Sequence, residues 1–229
     1  MALADHHPII EKEEGVYEQY ETLEQQQESY IVGMWTFLVT EIMMFGALFT
    51  AYALYRWRYQ DYFFHIHEQL NWALGGANTA NLLLSSLFVV LAVRAHQLGK
   101  KKQVLALLGG VQLCGLIFLG IKYVEYSKKF EHHYFPGNLF GNVFTWTHTA
   151  DAPAPIAKLF FSMYFGMTGL HGLHVLIGMV IFGILMVMIW RDHPLVKTDY
   201  IPTELVGLYW HFVDLVWIFL YPLFYLLPR

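Results

Sequence analysis

Five long apolar stretches divide the chain, at about residues 30–55, 71–95, 103–126, 157–190 and 203–227. Each is long enough to cross a hydrocarbon core of ~30 Å as an α-helix, which takes roughly 20 residues. We therefore predict an all-α fold, a polytopic membrane helical bundle with five transmembrane helices. The fourth stretch exceeds one crossing, so it is expected to begin as an interfacial segment or to run tilted and extend past the bilayer.

The composition agrees with a membrane environment and excludes several other classes of protein. Hydrophobic residues make up 56% of the chain and charged residues 14%, whereas an average soluble domain is about 25% charged. The net charge is −4 and no basic tract is present, so nucleic acid is not an expected partner. The single cysteine, Cys114, cannot form an intramolecular disulfide or a cysteine-based metal cluster.

The chain is predicted to consist of a polar tail, residues 1–29, and one five-helix membrane domain, residues 30–229. Basic residues cluster between the second and third stretches, at Arg94 and at 100–102. Because cytoplasmic loops are enriched in Lys and Arg, the tail is expected inside and the C-terminus outside. The connection 127–156 then lies outside, and its glycines and prolines argue against a helix there.

Glu41 lies in the middle of the first stretch, with no cation within one helical turn. An ionised carboxylate costs about 2.5 kcal/mol or more at the centre of a bilayer. We therefore expect Glu41 to face protein and to carry its proton. Two explanations stay open: a neutral acid that bonds to a neighbouring helix, or a proton-linked or lipid-linked site.

Two histidines share one face of the fourth helix, His171 and His174, because they are three residues apart. They could be metal ligands, but a metal site needs three or four ligands, and no carboxylate lies within a turn of them. We favour interhelical hydrogen bonds, since glycines around them would allow a second helix to approach closely. These glycines are Gly166, Gly169, Gly172 and Gly178.

The fifth helix carries a polar stripe of Glu204, His211 and Asp214, spaced seven and three residues apart. A buried histidine and a buried acid can satisfy one another, and the stripe is either a proton relay or, more commonly, a helix–helix or lipid headgroup contact. Asn78 and Asn81 form a similar stripe on the second helix, which we interpret as a helix interface. We predict no catalytic residue, no metal site and no redox centre within this chain, because the histidines and the one cysteine fall short of a heme or copper ligand set.

Four segments occur in an order and spacing that resemble subunit III of cytochrome c oxidases, a family of heme–copper oxidase subunits. They are TEIMMFGALFTAY, NTANLLLSS, TGLHGLHVLIGM and YWHFVDLVWIFLYPLFYL. The resemblance covers about residues 30–227. It implies a non-catalytic subunit that packs against the catalytic subunit I and other subunits of a proton-pumping oxygen reductase, with hemes and copper in those partners and phospholipid bound to this chain.

The resemblance also implies roles for individual residues. The family's carbodiimide-reactive membrane carboxyl falls on Glu41, and a second family acid falls on Glu204. Many members have seven helices, and the first two are missing here, as in bacterial forms, which implies a bacterial inner membrane. Glu41 favours the cytochrome c branch. Subunit III of a quinol oxidase and a nitric oxide reductase accessory protein are the alternatives, and a proton-coupled transporter is the rival from another class.

Overall fold

The structure of the chain, a computed structural model, describes residue 16 and residues 19–137, 143–150, 152–197 and 200–226. These residues form α-helices and connecting turns, with no strand among them, and five of the helices are long and apolar enough to cross a membrane. The predicted fold class is therefore confirmed. The five spans are α1 (Leu23–Arg58), α3 (Trp72–Gln97), α4 (Lys101–Glu131), α5 (Ala154–Trp190) and α7 (Ile201–Tyr225).

The first helix begins earlier than its apolar pattern predicts. The side chain of Thr22 accepts a hydrogen bond from the backbone N–H of Gln25, so Thr22 caps α1, and residues 23–29 are helical. The division into a tail and a membrane domain at residue 29 stays a prediction, but the helix begins seven residues before residue 30. Glu and Gln are strong helix formers, and hydropathy does not detect a polar first turn. The rest of the tail call falls on residues 1–15, 17 and 18, which lie outside the described residues.

Two connections differ from the sequence prediction. The helix α4 continues to Glu131. We predicted no helix in the connection that starts at residue 127, and this is wrong for its first five residues. Residues 138–142 and 151 of the loop lie outside the described part of the chain. The other difference is two short helices that hydropathy did not predict, α2 (Gln60–His67) and α6 (Pro194–Lys197).

The longest span, α5, is one continuous helix of 37 residues. At 1.5 Å per residue it is roughly 55 Å long, well beyond a hydrocarbon core of ~30 Å. This length agrees with a helix that extends past the bilayer.

Four of the spans form a ring in which each contacts two neighbours. Helix α3 packs on α4 and α7, and α5 packs on the same two helices. Two fully buried indole rings of α7, Trp210 and Trp217, fill the centre. Gly178 of α5 makes room for one of them, because a Cβ atom there would lie 2.9 Å from the Trp210 ring. Of the four glycines that sequence analysis singled out, Gly178 alone is tightly packed, whereas Gly166 and Gly172 face open space.

The first helix lies outside this ring, against α7 and α5. Of the 18 most apolar consecutive residues of α1, only 11% are buried, compared with 50% of the corresponding residues of α7. Large apolar side chains cover the exposed side, and the most exposed are Val32, Trp35, Ile42, Met43, Leu54 and Trp57. The first helix therefore attaches to the bundle by one narrow face and presents the other to its surroundings.

Candidate functional site

A hydrogen-bonded acid–base pair joins α1 to α5. The Oε2 atom of Glu41 lies 3.0 Å from the Nε2 atom of His174. Both side chains are largely buried, with 16% of the Glu41 side chain and 10% of the His174 side chain exposed. The sequence brings no cation near Glu41 along its own helix, and the partner comes from a residue 133 positions later in the chain.

A second hydrogen bond of the His174 ring shows which of its nitrogens carries a hydrogen. The Nδ1 atom lies 2.8 Å from the carbonyl oxygen of Leu170. Because a carbonyl oxygen can only accept, Nδ1 carries a hydrogen. When one further proton lies between Nε2 of His174 and Oε2 of Glu41, the pair is neutral overall whether that proton is on the acid or on the imidazole.

This pair borders a cavity of about 290 Å³ whose other walls are apolar. Tyr209 of α7 donates a hydrogen bond from its hydroxyl to the carbonyl oxygen of His174, at 3.0 Å, and so fixes α5 against α7 at the same level. The ring of Phe45 packs edge-on against the imidazole at 5.3 Å. The cavity is lined by Met34, Phe37, Glu41, His174, Ile177, Ile181, Val206 and Tyr209.

The second histidine of this helix, His171, has different surroundings from His174. It is fully buried, and its ring packs against Phe118 of α4 at 5.3 Å and Trp217 of α7 at 5.1 Å. Neither ring nitrogen has a hydrogen-bond partner among the described residues. Those residues also contain no group of three or more His, Cys, Asp or Glu side chains placed to hold a metal ion.

The polar stripe of α7 is divided among separate partners. His211 bonds to the hydroxyl of Ser86 of α3 at 2.6 Å, an interhelical contact, and not to Asp214. Asp214 is 3% exposed, and its carboxyl oxygens have no hydrogen-bond partner in the described part of the chain. The helix pattern predicted a shared face, but the neighbouring helix decides which side chain is reached.

Glu204 is exposed, and it lines a larger cavity of about 530 Å³ between α1, α3 and α7. Arg94 of α3 and His211 border the same cavity, and most of the remaining wall is apolar. Glu204 and Glu41 therefore occupy different cavities. The apolar wall includes Ile31, Trp35, Val90, Val93, Leu205 and Leu208.

The two asparagines of α3 also differ. The side-chain amide of Asn81 donates to the carbonyl oxygen of Cys114 at 2.8 Å and so joins α3 to α4. Asn78 is fully buried, and neither its amide nitrogen nor its amide oxygen has a partner among the described residues.

A buried ion pair that sequence analysis did not single out joins α4, α5 and α7. The Nζ atom of Lys122 lies 2.9 Å from Oε2 of Glu125 and 2.8 Å from the hydroxyl of Tyr225, which in turn donates to Oε1 of Glu125 at 2.6 Å. The ammonium also lies 4.6 Å from the ring of Trp217. The signal was available, since two opposite charges three residues apart share a helix face.

Comparison with known proteins identifies the family of the chain. A family model described as cytochrome c oxidase subunit III matches residues 143–228. The chain is 30% identical over 206 residues to the cytochrome bo(3) ubiquinol oxidase subunit 3 of Pseudomonas aeruginosa, a match that covers 86% of this chain and 84% of that protein. It is 29% identical over 214 residues to the cytochrome c oxidase subunit 3 of Thermostichus vulcanus, covering 87% and 88% of the two chains.

The similarity extends to animal proteins. The chain is 30% identical over 213 residues to the cytochrome c oxidase subunit 3 of Branchiostoma lanceolatum, a match that covers 84% of this chain and 67% of that protein. These matches run across the same spans that bury the Glu41–His174 and Lys122–Glu125 pairs. The chain belongs to the heme–copper oxidase subunit III family.

Proposed function

We propose that the chain is a non-catalytic subunit of a proton-pumping oxygen reductase in aerobic electron transport, where it stabilises the catalytic subunit I and supports proton uptake toward its active site. Hemes and copper belong to the partner subunits in this proposal. The observation that carries it is the Glu41–His174 pair, because it places a carboxyl and an imidazole within hydrogen-bond distance inside the membrane domain, beside a cavity.

The stabilising role is supported by the exposed side of α1. The first helix, α1, has 36 residues, and only 11% of its 18 most apolar consecutive residues are buried. Most of its surface is therefore available to lipid or to another membrane subunit. Within a bilayer, helices associate through close packing and interhelical hydrogen bonds. We propose that this side, which includes Met43 and Trp57, faces partner subunits or lipid in the assembled oxidase.

The proton-related role is supported by the chemistry of the pair. A carboxyl and an imidazole 3.0 Å apart can exchange a proton without any change in net charge, although the transfer converts a neutral pair into a buried ion pair. The pair borders a cavity of about 290 Å³ and keeps 16% of the Glu41 side chain exposed. In this proposal the proton reaches Glu41 from that cavity.

We also propose a bound phospholipid in the cavity of about 530 Å³ between α1, α3 and α7. Its apolar wall suits an acyl chain. Arg94 supplies a cation for the phosphate, and Glu204 lies beside it as a hydrogen-bond acceptor or a proton donor. Since Arg94 lies in the last turn of α3, this headgroup site is at one end of the helix, where a lipid headgroup is expected.

The experiment that tests this function compares the purified oxidase with and without this chain. Without the chain, the oxidase should complete fewer turnovers before it is inactivated. In the intact complex, Glu41→Gln should slow proton uptake and leave the heme spectra unchanged. Glu68→Gln, a change at the C-cap of α2, is the matched control for removing one acid. If activity and catalytic lifetime are the same without the chain, the supporting role is wrong.

The electron donor divides the proposal into two branches. We propose the cytochrome c branch on the presence of Glu41. The quinol branch is the second candidate, since the relative from Pseudomonas aeruginosa is a ubiquinol oxidase subunit. Oxidation of reduced cytochrome c by the purified complex supports the first, and oxidation of ubiquinol supports the second. We further propose a bacterial inner membrane with the N-terminus in the cytoplasm, which protease access from each side of oriented vesicles tests.

A further inference from the structure

Buried charge is unbalanced at the end of α4. Lys122, Glu125 and Lys129 are 5%, 4% and 7% exposed, so two ammonium groups accompany one carboxylate. Both carboxylate oxygens are already engaged, Oε2 by Lys122 and Oε1 by the hydroxyl of Tyr225. Lys122 thus forms a direct ion pair with Glu125, whereas Lys129 forms no ion pair with any carboxylate among the described residues.

Lys129 has polar contacts but no counter-ion. Its ammonium donates to the carbonyl oxygen of Gln69 and lies 5.9 Å from the centre of the Tyr134 ring. Among the residues that the structure describes, no carboxylate lies within salt-bridge distance of it. Buried charges in proteins are paired or bind a ligand of opposite charge, because an isolated one is costly.

The ammonium of Lys129 borders a cavity of about 370 Å³. Lys128 and His132 from the same helix end line this cavity as well, so three basic side chains surround one space. Polar groups of the α2–α3 connection, Gln69 and Asn71, form the opposite wall. Glu125 also lies on the wall, but its oxygens are committed to the ion pair.

We propose that this cavity binds a phosphate group, supplied by the headgroup of an anionic phospholipid or by a free phosphate ester. Several donors that converge from one side suit an acceptor with several oxygens and a negative charge. The position favours a lipid. The cavity lies where α3 begins and α4 ends, and Trp72 and Tyr123 nearby are 65% and 75% exposed, as aromatic side chains are at a membrane–water interface.

This site is separate from the lipid cavity proposed above. That cavity involves Arg94, near the end of α3, whereas this one involves Asn71, the cap at its beginning. The two therefore lie at opposite ends of the same membrane span. The phosphate site does not depend on the chain's role in an oxidase, since its argument uses only the contacts of α2, α3 and α4.

Native mass spectrometry of the full-length chain in detergent micelles tests the proposal. The probes are dioleoylphosphatidylglycerol, dioleoylglycerol, which lacks the phosphate, and glycerol phosphate, which lacks the acyl chains. The phosphatidylglycerol should bind at least about tenfold more tightly than dioleoylglycerol, as expected for charge-assisted hydrogen bonds. Competition by glycerol phosphate would identify a free phosphate ester as a sufficient ligand, and a lack of competition would identify the lipid.

Variants locate the binding site. Lys129→Gln and Lys128→Gln should each weaken phosphatidylglycerol binding about tenfold, and Lys129→Arg should retain it. Lys158→Gln is the matched control, because Lys158 is an exposed cation in the first turns of α5 and does not line the cavity. If Lys129→Gln fails to fold, the exposed Lys128 still provides the test. Equal binding of dioleoylglycerol, or an equal effect of Lys158→Gln and Lys128→Gln, would overturn the proposal.

Discussion

Glu41 and His174 are hydrogen-bonded at 3.0 Å across the contact between α1 and α5. The relationship matters because α1 lies outside the four-helix ring and touches it along a narrow face. This polar contact between membrane helices therefore helps to attach the outer helix to the ring. Several measurable consequences depend on it and on the second buried pair.

The first prediction concerns the protonation of Glu41. We expect a neutral carboxyl at pH 7 that donates to Nε2 of His174, because a neutral pair costs less to bury than an ion pair with few other partners. Infrared difference spectra of Glu41→Gln against the unchanged chain should lose a protonated-carboxyl band. Glu204→Gln, at an exposed position, should leave that band intact, and a band that persists in Glu41→Gln would contradict the prediction.

The second prediction concerns the stability of the same contact. Replacement of His174 by Ala leaves the carboxyl of Glu41 without its partner, which should cost about 1–3 kcal/mol of unfolding free energy. Thermal unfolding of the purified chain, followed by tryptophan fluorescence, measures the change. In the double variant Glu41→Ala/His174→Ala the cost should be smaller than the sum of the two single costs, whereas additive costs would mean that the two side chains do not interact.

The third prediction concerns the buried pair of α4. Lys122→Met removes the cation and leaves Glu125 buried with Tyr225 as its remaining partner, so it should destabilise the chain by about 3–5 kcal/mol. Adding Glu125→Gln to Lys122→Met removes the stranded charge and should recover part of that loss. The same unfolding measurement checks both variants, and a double variant less stable than Lys122→Met would show that the stranded carboxylate is not the cause.

The fourth prediction uses two glycines of the same helix. Gly178→Ala places a Cβ atom 2.9 Å from the Trp210 ring, and overpacking of this kind costs about 1–3 kcal/mol. Gly172→Ala is the matched control, since nothing lies within 4 Å of its Cβ position and Ala is the better helix former. Gly178→Ala should lower the unfolding midpoint and Gly172→Ala should not, and equal midpoints would argue against the close packing of α5 on α7.

The spans were predictable because hydropathy is a local property. A helix can cross a bilayer because it hydrogen-bonds its backbone polar groups within itself. About 20 consecutive apolar residues are therefore sufficient to indicate a membrane-spanning helix. The polar start of α1 at Leu23 and the short helix α2 escaped the same criterion, since their helical structure rests on capping and packing and not on apolar length.

The candidate site was predictable in part. Glu41, His171 and His174 stand out because polar side chains are rare inside apolar stretches. Their partners did not follow from the pattern. His174 reaches Glu41, His171 lies between two aromatic rings, and His211 bonds to Ser86 and not to Asp214.

Hydropathy was thus enough to predict five membrane spans, and four sequence motifs were enough to indicate a resemblance to the heme–copper oxidase subunit III family. Tertiary structure alone decided which polar side chains meet, and it revealed that Lys129 is a buried cation beside a cavity. The physical reason is that a helix's sequence determines which residues share a face, whereas the rotation and neighbours of that helix, which depend on packing along the whole bundle, determine what that face touches.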